Sequence, residues 1–183
     1  QQMGKNPDKG EVSKMKMATQ FTAEDRARSS ENLEPCYLEA LNLVERLHRR
    51  LLDVIKDEFD RRGRTDINAV QALLLYNMGD SELTAGELRS RGYYLGSNVS
   101  YNLKKLVDAG YIHHERSDAD RRSVRVRLTE SGQEIHSVVS QLFRRHLESL
   151  EQVGGVGEDD LDHLNKTLQR LERFWTDQIL YRL

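Results

Sequence analysis

The chain has 183 residues, of which 32% are charged and 37% are hydrophobic, and its formal net charge is -2. This composition is typical of a helix-rich globular protein with one domain and an appendage. The single Cys36 excludes a disulfide within the chain and argues against a structural zinc site of the usual type. No apolar run approaches the length of a membrane span and no signal peptide is recognisable, so we expect a cytoplasmic protein that does not contact a membrane.

The first third of the chain is predicted to be a polar extension followed by one long helix. Residues 1–33 form the extension, in which Thr22–Asp25 could begin a short helix. From Pro35 to Gly63 apolar residues recur at steps of three and four, and Pro is tolerated in the first turn of a helix. We assign residues 34–64 to a first dimerisation helix, because so long an apolar stripe needs a partner.

A second and a third helix are predicted next. The second has Thr65 or Asp66 as its N-cap and Gly79 at its end. Residues 81–83 are predicted to be a short connection. Residues 84–87 fit a capping box, in which a Thr hydroxyl and a Glu carboxylate each accept a backbone N–H, and this box would start the short third helix.

The helix predicted over residues 97–109 has one apolar and one polar face. Ser97 is a suitable N-cap, and Gly110 suits the position just past the helix end. Together with the short helix before it, this helix forms a helix-turn-helix pattern. Its polar face carries amides, a phenol and ammonium groups, from Asn98, Tyr101, Asn102, Lys104 and Lys105. Amides can read base edges in the major groove of DNA and ammonium groups can neutralise phosphates, although an ordinary solvated helix face has the same pattern.

A β-hairpin is predicted directly after this helix. Residues 111–116 form its first strand, residues 117–122 its turn and residues 123–128 its second strand, in which apolar residues alternate with arginines. Its tip and outer face carry Arg116, Arg121, Arg122, Arg125 and Arg127. Between Thr84 and Leu128 there are nine basic and five acidic residues, an excess of four positive charges in a chain whose total is -2. Such asymmetry is expected of a surface that contacts phosphates.

Two more helices are predicted at the C-terminus. Thr129 opens the first, with Ser131 to Glu134 as a further capping box, and residues 154–157 break it. The last helix begins at Glu158 and carries an apolar stripe with too few neighbours in its own chain. We infer that the first long helix and the last two form a dimer interface, the alternative being one intramolecular bundle.

Several runs of residues resemble the MarR family of winged helix-turn-helix regulators, namely Leu83–Leu88, Ser97–Ile112, and Asp120–Arg122 followed by Leu128–Gly132. The specific part is the wing signature, an Asp-x-Arg sequence with Leu-Thr after five further residues. The resemblance implies a mainly α fold with a small β-wing, that is, a winged helix-turn-helix plus long N- and C-terminal dimerisation helices. The DNA-binding winged helix-turn-helix domain then covers residues 65–129, and the C-terminal dimerisation helices cover residues 130–183.

The resemblance also implies a homodimer that binds double-stranded DNA at a pseudo-palindromic operator. Its recognition helices would enter successive major grooves about 10 bp apart, and its wing arginines would reach the adjacent minor grooves. The residues implied to contact DNA are Ser97, Asn98, Ser100, Tyr101, Asn102, Lys104, Lys105, Arg121 and Arg122. Asp120 and Arg116 would support the wing through charge pairing.

Members of this family often bind small aromatic effectors between the dimerisation helices and the winged domain. The corresponding candidates here are His48, Leu51, Leu52, Phe59, Leu73, Tyr76 and Tyr111, each of which could be ordinary core instead. We expect no cofactor and no metal, because the adjacent His113 and His114 point to opposite faces of a strand and cannot chelate together. Some relatives sense oxidants through a cysteine near the first helix, where Cys36 lies, but the sequence offers it no resolving cysteine.

The predicted function is therefore a sequence-specific DNA-binding transcriptional regulator, tuned by a small aromatic effector. Two alternatives stay open: a winged-helix protein-interaction module that does not bind DNA, and a thiol-based redox-sensing regulator. An enzyme is not expected, because no nucleophile–base pair, metal cluster or Gly-rich phosphate loop is recognisable.

Overall fold

The computed structural model describes residues 23–79, 83–84, 87, 96–116 and 124–181. These residues are mainly helical, with one small three-stranded antiparallel sheet, which confirms the predicted fold class. The chain divides into two compact units, Gln1–Leu51 and Leu52–Leu183. No helix among the described residues combines the length and the apolarity that crossing a bilayer requires.

The first helix, α1, spans Ala23–Arg61, and its 39 residues run through both units. The prediction that this helix begins at Pro35 is wrong, because Pro35 lies inside it. A proline inside a helix removes one hydrogen bond, at a cost of about 3 kcal/mol. The preceding residues are mostly strong helix formers such as Ala, Glu and Arg, so the helix continues through the proline. Residues 1–22 of the predicted extension lie outside the described residues.

The turn after α1 leads into α2, which spans Ala69–Met78. Gly63 has φ +67°, a left-handed conformation that suits glycine, and it follows the end of α1 as predicted. The N-cap of α2 is Asn68, whose side chain accepts from the Gln71 N–H at 2.9 Å, so the prediction of Thr65 or Asp66 as the cap is wrong. The Asp66 carboxylate is instead bonded to other side chains, as described below.

Three strands form the sheet, in the order β1-β3-β2. Strand β1 is Leu83–Thr84, β2 is Ile112–Arg116 and β3 is Val124–Leu128. Residues 81–83 were expected to be a connection only, but Leu83 pairs with Val126 of β3. The predicted capping box is confirmed, since the Thr84 N–H donates to Glu87 at 2.6 Å and the Glu87 N–H donates to the Thr84 hydroxyl at 3.1 Å. Beyond Thr84 and Glu87, the predicted third helix lies outside the described residues.

Helix α3 spans Gly96–Asp108 and leads directly into β2. It begins one residue before Ser97, the predicted N-cap. Its C-terminus is a Schellman motif, in which the Gly110 N–H donates to the Val107 carbonyl at 3.0 Å and the Tyr111 N–H donates to the Leu106 carbonyl at 2.9 Å. Gly110 has φ +79°, so the predicted glycine at the helix end is confirmed.

Helices α4, Glu130–Gly154, and α5, Glu158–Tyr181, complete the fold. The N-cap of α4 is Thr129, whose hydroxyl accepts from the Gly132 N–H at 3.1 Å. The predicted capping box from Ser131 is therefore wrong, because that residue already lies inside the helix. Gly155, in the left-handed region, ends α4 within the predicted break.

The core of the second unit forms where α2 packs along α4 and against β3. Its most buried side chains are apolar and come from α1, α2, α3 and α4, namely Ile55, Leu74, Leu75, Met78, Leu106, Ile135 and Val139. Burial of this kind stabilises a fold by about 1.5–3 kcal/mol per large side chain. The core therefore carries α3 and the sheet on a rigid base.

One carboxylate, Glu58, is buried beside this core. It accepts hydrogen bonds from Arg62 at 2.8 Å and from Arg145 at 2.7 Å, which ties the end of α1 to α4. Burial by itself would raise the pKa of Glu58, but the hydrogen bonds from the two guanidinium groups outweigh burial and lower the pKa. Glu58 is thus an ionised, fully paired group in the fold.

Candidate nucleic-acid interface

Helix α3 has the two faces that the sequence predicts. Leu103 and Leu106 are buried, 8% and 1% exposed, and anchor the helix in the second unit. The side chains on the other face are exposed at Ser100, Tyr101, Lys104 and Lys105 and half-buried at Asn102. Ser97 and Asn98 belong to the first turn of α3, but their side chains lie outside the described set.

A cation–π contact orders part of this exposed face. The Lys105 ammonium lies 5.7 Å from the centre of the Tyr101 ring, one helical turn away. Tyr101 is 63% exposed, so most of its side chain faces the solvent. The contact keeps a phenol and an ammonium group side by side on the surface of α3.

The outer face of the sheet adds a second cationic surface. Arg125 and Arg127 are exposed while Val126 and Leu128 are buried, which confirms the predicted alternation in β3. Arg116, predicted to support the wing, pairs with Val124 at the end of the β2–β3 ladder. The other predicted wing residues, Asp120, Arg121 and Arg122, lie outside the described residues.

One wing arginine has an acidic partner in its own chain. The Arg127 guanidinium lies 3.6 Å from the Glu115 carboxylate across the ladder, and their side chains are 52% and 67% exposed. An ion pair so exposed to water contributes about 0–1 kcal/mol. A phosphate can therefore compete for the guanidinium at little cost.

The base of α3 carries a hydrogen-bonded cluster that sequence reasoning missed. Arg64 donates to both oxygens of the Asp66 carboxylate, at 2.9 and 3.0 Å, and to the Tyr111 hydroxyl at 3.0 Å. The Tyr111 hydroxyl in turn donates to Asp66. The three residues join the turn after α1 to the residue that closes the C-terminal cap of α3. No local pattern signals this cluster, because Tyr111 is 45 residues from Asp66 in sequence.

The charges in this cluster shift one another's proton affinities. Hydrogen bonds from Arg64 and from Tyr111 hold the pKa of the Asp66 carboxyl well below its usual range. Burial and the hydrogen bond to Asp66 raise the pKa of the Tyr111 phenol. Asp66 is consequently ionised and Tyr111 protonated across the neutral range, which are the states that the cluster needs.

The pKa of Asp66 predicts how stability depends on pH. A carboxyl whose pKa falls on folding stabilises the native state above its unfolded pKa of about 3.9, and this contribution is lost as pH falls below that value. We therefore expect wild type to be more stable than Asp66→Asn above about pH 5, with a difference that shrinks below about pH 4. Urea denaturation of both proteins between pH 3.5 and 7 measures this difference, and a difference independent of pH would contradict the assignment.

The effector candidates are divided between the two units of the chain. In the second unit, Phe59, Leu73 and Tyr111 are buried, and Tyr76 stacks on His136 at 5.4 Å. Leu52 is half-buried there, while His48 and Leu51 belong to the first unit, in which His48 is exposed and Leu51 half-buried. The effector site stays a prediction.

One cavity does include an effector candidate. Phe59 lines a cavity of about 240 Å³ together with Lys56, Arg64, Ile67 and Asn68. Lys56 pairs with Asp60 and Arg64 pairs with Asp66, so both cations of this lining already have acidic partners.

The remaining predicted chemistry concerns thiols and metals. Cys36 is an exposed free cysteine in α1, and its reactivity stays a prediction. Within the described residues, no three His, Cys, Asp or Glu side chains are grouped so that they could hold a metal ion.

The architecture defines a class of protein. A helix with a polar, cationic face that leads directly into a small antiparallel sheet is typical of a winged-helix regulator. The sequence profile of the MarR family matches residues 65–123. The exopolysaccharide II synthesis transcriptional activator ExpG of Rhizobium meliloti (strain 1021) is 37% identical over 145 residues, which cover 79% of this chain and 74% of that protein. The chain belongs to the MarR family.

Solved structures show the same fold at lower identity. Streptococcus pneumoniae FabT in complex with DNA is 24% identical, with a TM-score of 0.57, over 77% of this chain and 98% of that one. The transcriptional regulator SlyA is 15% identical, with a TM-score of 0.65, over 79% of this chain and 99% of that one.

Membership of a family of transcriptional regulators confirms that the chain is not an enzyme.

Proposed function

We propose that this regulator acts as a homodimer that binds double-stranded DNA in a sequence-specific way. The observation that carries the proposal is the exposed face of α3. Tyr101, Lys104 and Lys105 lie on this face, and Leu103 and Leu106 are buried on the other. Phenol and amide groups offer hydrogen bonds to base edges, and ammonium groups attract phosphates. The arginine row of β3 extends the same charge beside the helix. Because it acts on chromosomal DNA, we place the protein in the bacterial cytoplasm.

The proposed homodimer is supported by the exposed apolar face of α5. No residue of α5 is buried within the described chain. Its apolar stripe includes Leu164, Leu168 and Ile179, which are 47%, 39% and 78% exposed. A helix with such a stripe needs a partner surface, and a second copy of the chain supplies the same stripe. Two copies would then present two α3 helices to successive major grooves.

We also propose that a small aromatic effector tunes this regulator. The cavity beside Phe59 supports the proposal, because its lining combines the apolar Phe59, Ile67 and Ala69 with polar side chains that can orient a small ring. Substituted benzoates and phenols, added to the purified protein, should raise its melting temperature in a concentration-dependent way. Loss of that shift in Phe59→Leu, which keeps an apolar side chain, would locate the site.

The experiment that tests DNA binding is selection from a random pool of duplexes, followed by salt titration of the selected duplex. Each phosphate contact lowers the slope of log affinity against log salt by about 0.9, so 6–10 contacts would cost about 10³–10⁵ in affinity between 50 and 200 mM salt. The double variant Lys104→Gln and Lys105→Gln removes four lysines from the proposed dimer, so we expect it to reduce the magnitude of that slope by about 4.

A matched control removes a lysine charge elsewhere. Lys166→Gln lies on α5, where the exposed lysine pairs with Asp162, and it should leave the slope unchanged. Failure of the wild-type protein to enrich any duplex, or an affinity that hardly changes with salt, would refute the proposed function.

A further inference from the structure

We propose that Arg64, Asp66 and Tyr111 form a positioning clamp, which sets the orientation of α3 and thereby the discrimination between duplex sequences without touching DNA. The inference rests on the proposed function, since it concerns how α3 is aimed at the major groove. The clamp lies at the C-terminal base of α3, and its three members come from the turn after α1 and from the start of the wing.

Tyr111 is fixed to α3 through its backbone. Its N–H closes the Schellman motif on the Leu106 carbonyl at 2.9 Å, so the residue cannot turn without opening the last turn of the helix. Its ring is only 6% exposed. Any rotation of α3 therefore moves the Tyr111 ring and hydroxyl as well.

The same residue is fixed from the side of α4. The Tyr111 carbonyl accepts from the Thr129 N–H at 3.0 Å, and the Thr129 hydroxyl donates to the Gly110 carbonyl at 2.7 Å. The absence of a side chain at Gly132 is what lets α4 approach the Tyr111 carbonyl so closely. The wing and α4 thus hold the backbone of Tyr111, while Asp66 and Arg64 hold its hydroxyl.

The planar pairing of Arg64 with Asp66 makes the outer half of the clamp directional. A guanidinium that donates two parallel bonds to one carboxylate has a defined plane, and here the same guanidinium also donates to the Tyr111 hydroxyl. The position of the hydroxyl is therefore set by two partners that also pair with each other, the Arg64 guanidinium and the Asp66 carboxylate. Losing one of them frees the ring to shift relative to the turn after α1.

A small rotation at this base has a large effect at the other end of α3. A helix of 13 residues is about 20 Å long, so a tilt of about 10° moves its far end by about 3 Å. Hydrogen bonds to base edges are lost over such a distance. Coulomb attraction to phosphates falls only with the inverse of distance. A loosened clamp therefore weakens specific binding much more than non-specific binding.

The test compares duplexes rather than stability alone. Full-length wild type, Tyr111→Phe, Asp66→Asn and the double variant are titrated with the duplex selected by wild type and with a scrambled duplex of equal length. We expect each single variant to lose about 10-fold in affinity for the selected duplex and less than about 2-fold for the scrambled one, because one charge-assisted hydrogen bond is lost. The double variant should lose no more than the worse single variant, because both changes remove the same contact.

Matched controls remove the same chemical groups elsewhere. Asp60→Asn changes an exposed carboxylate at the end of α1, and Tyr181→Phe removes an exposed hydroxyl on α5. Neither should change the ratio of the two affinities. Circular dichroism on every protein establishes that each is folded at the assay temperature.

Each other outcome decides against the clamp or against the function. Equal losses on both duplexes would overturn the clamp, because a merely structural role lowers the folded fraction and affects all DNA alike. A salt slope reduced by about 2 in Arg64→Gln would also overturn it, because that arginine would then contact a phosphate in each protomer. Wild type that does not discriminate between the duplexes refutes the proposed function, whereas discrimination that survives in Tyr111→Phe refutes the clamp alone.

Discussion

Replacing Gly132 by alanine is expected to lower the free energy of unfolding by about 3 kcal/mol, at the upper end of the range for overpacking. A Cβ at this position would lie less than 3.0 Å from the Tyr111 carbonyl oxygen and 3.2 Å from Leu128 Cβ. The carbonyl cannot retreat, because it accepts the Thr129 N–H at 3.0 Å. Urea denaturation at neutral pH measures the loss.

A second glycine in the same helix is the control. At Gly154 an added Cβ would meet only the flexible end of the Leu150 side chain, at 3.4 Å. Alanine there should leave stability unchanged or raise it by up to about 1 kcal/mol, the difference in helix propensity. If Gly132→Ala were as stable as Gly154→Ala, the close approach of α4 to Tyr111 would be disproved.

The second large effect is expected on assembly. Leu164→Glu together with Leu168→Glu should convert the proposed dimer into a monomer, because two apolar side chains at its interface become charged. Because both protomers carry the change, four leucines lose their burial, which costs about 6–12 kcal/mol, a factor of about 10⁴–10⁹ in the dimer dissociation constant. Sedimentation equilibrium measures that constant. Affinity for the selected duplex should fall with it, because only a dimer engages both half-sites at once.

The control adds the same two charges at positions of α5 outside the apolar stripe. Gln169→Glu and Thr176→Glu are both at exposed positions away from the apolar stripe. This variant should remain dimeric at the concentrations at which the leucine variant is monomeric. A leucine variant that remained dimeric, or a wild type that was monomeric, would refute the proposed interface.

Features that depend on one residue's own backbone were predictable from the sequence. Gly63 and Gly110 end their helices because a positive φ is easiest for glycine. The alternation of Arg125 with Val126 in β3 was predictable for a similar reason, since successive residues of a strand must face opposite sides. The exposed face of α3 followed from helical periodicity alone.

Features that depend on competition between distant partners were not predictable. Asp66 is as good an N-cap as Asn68, but its carboxylate is bonded to Arg64 and Tyr111, and Asn68 caps α2. The sequence indicates a helix start at Pro35, because one proline is a stronger local signal than the favourable helix propensity of many preceding residues. Arg64 was one of several basic residues near the end of α1, and nothing local marks it as the partner of Asp66. The clamp could therefore be identified only from the three-dimensional structure.

Thr84 takes part in a β-strand and in a capping box, and this limits which residues can replace it. It pairs with Arg125 in the β1–β3 ladder, and its hydroxyl accepts the Glu87 N–H. Valine would suit the strand but lose the hydroxyl, whereas aspartate or asparagine would keep an acceptor and weaken the strand. Inserting or deleting a residue between positions 84 and 87 would break both hydrogen bonds between Thr84 and Glu87. Insertions and deletions among this protein's descendants should therefore lie before Thr84 or after Glu87, and not between them.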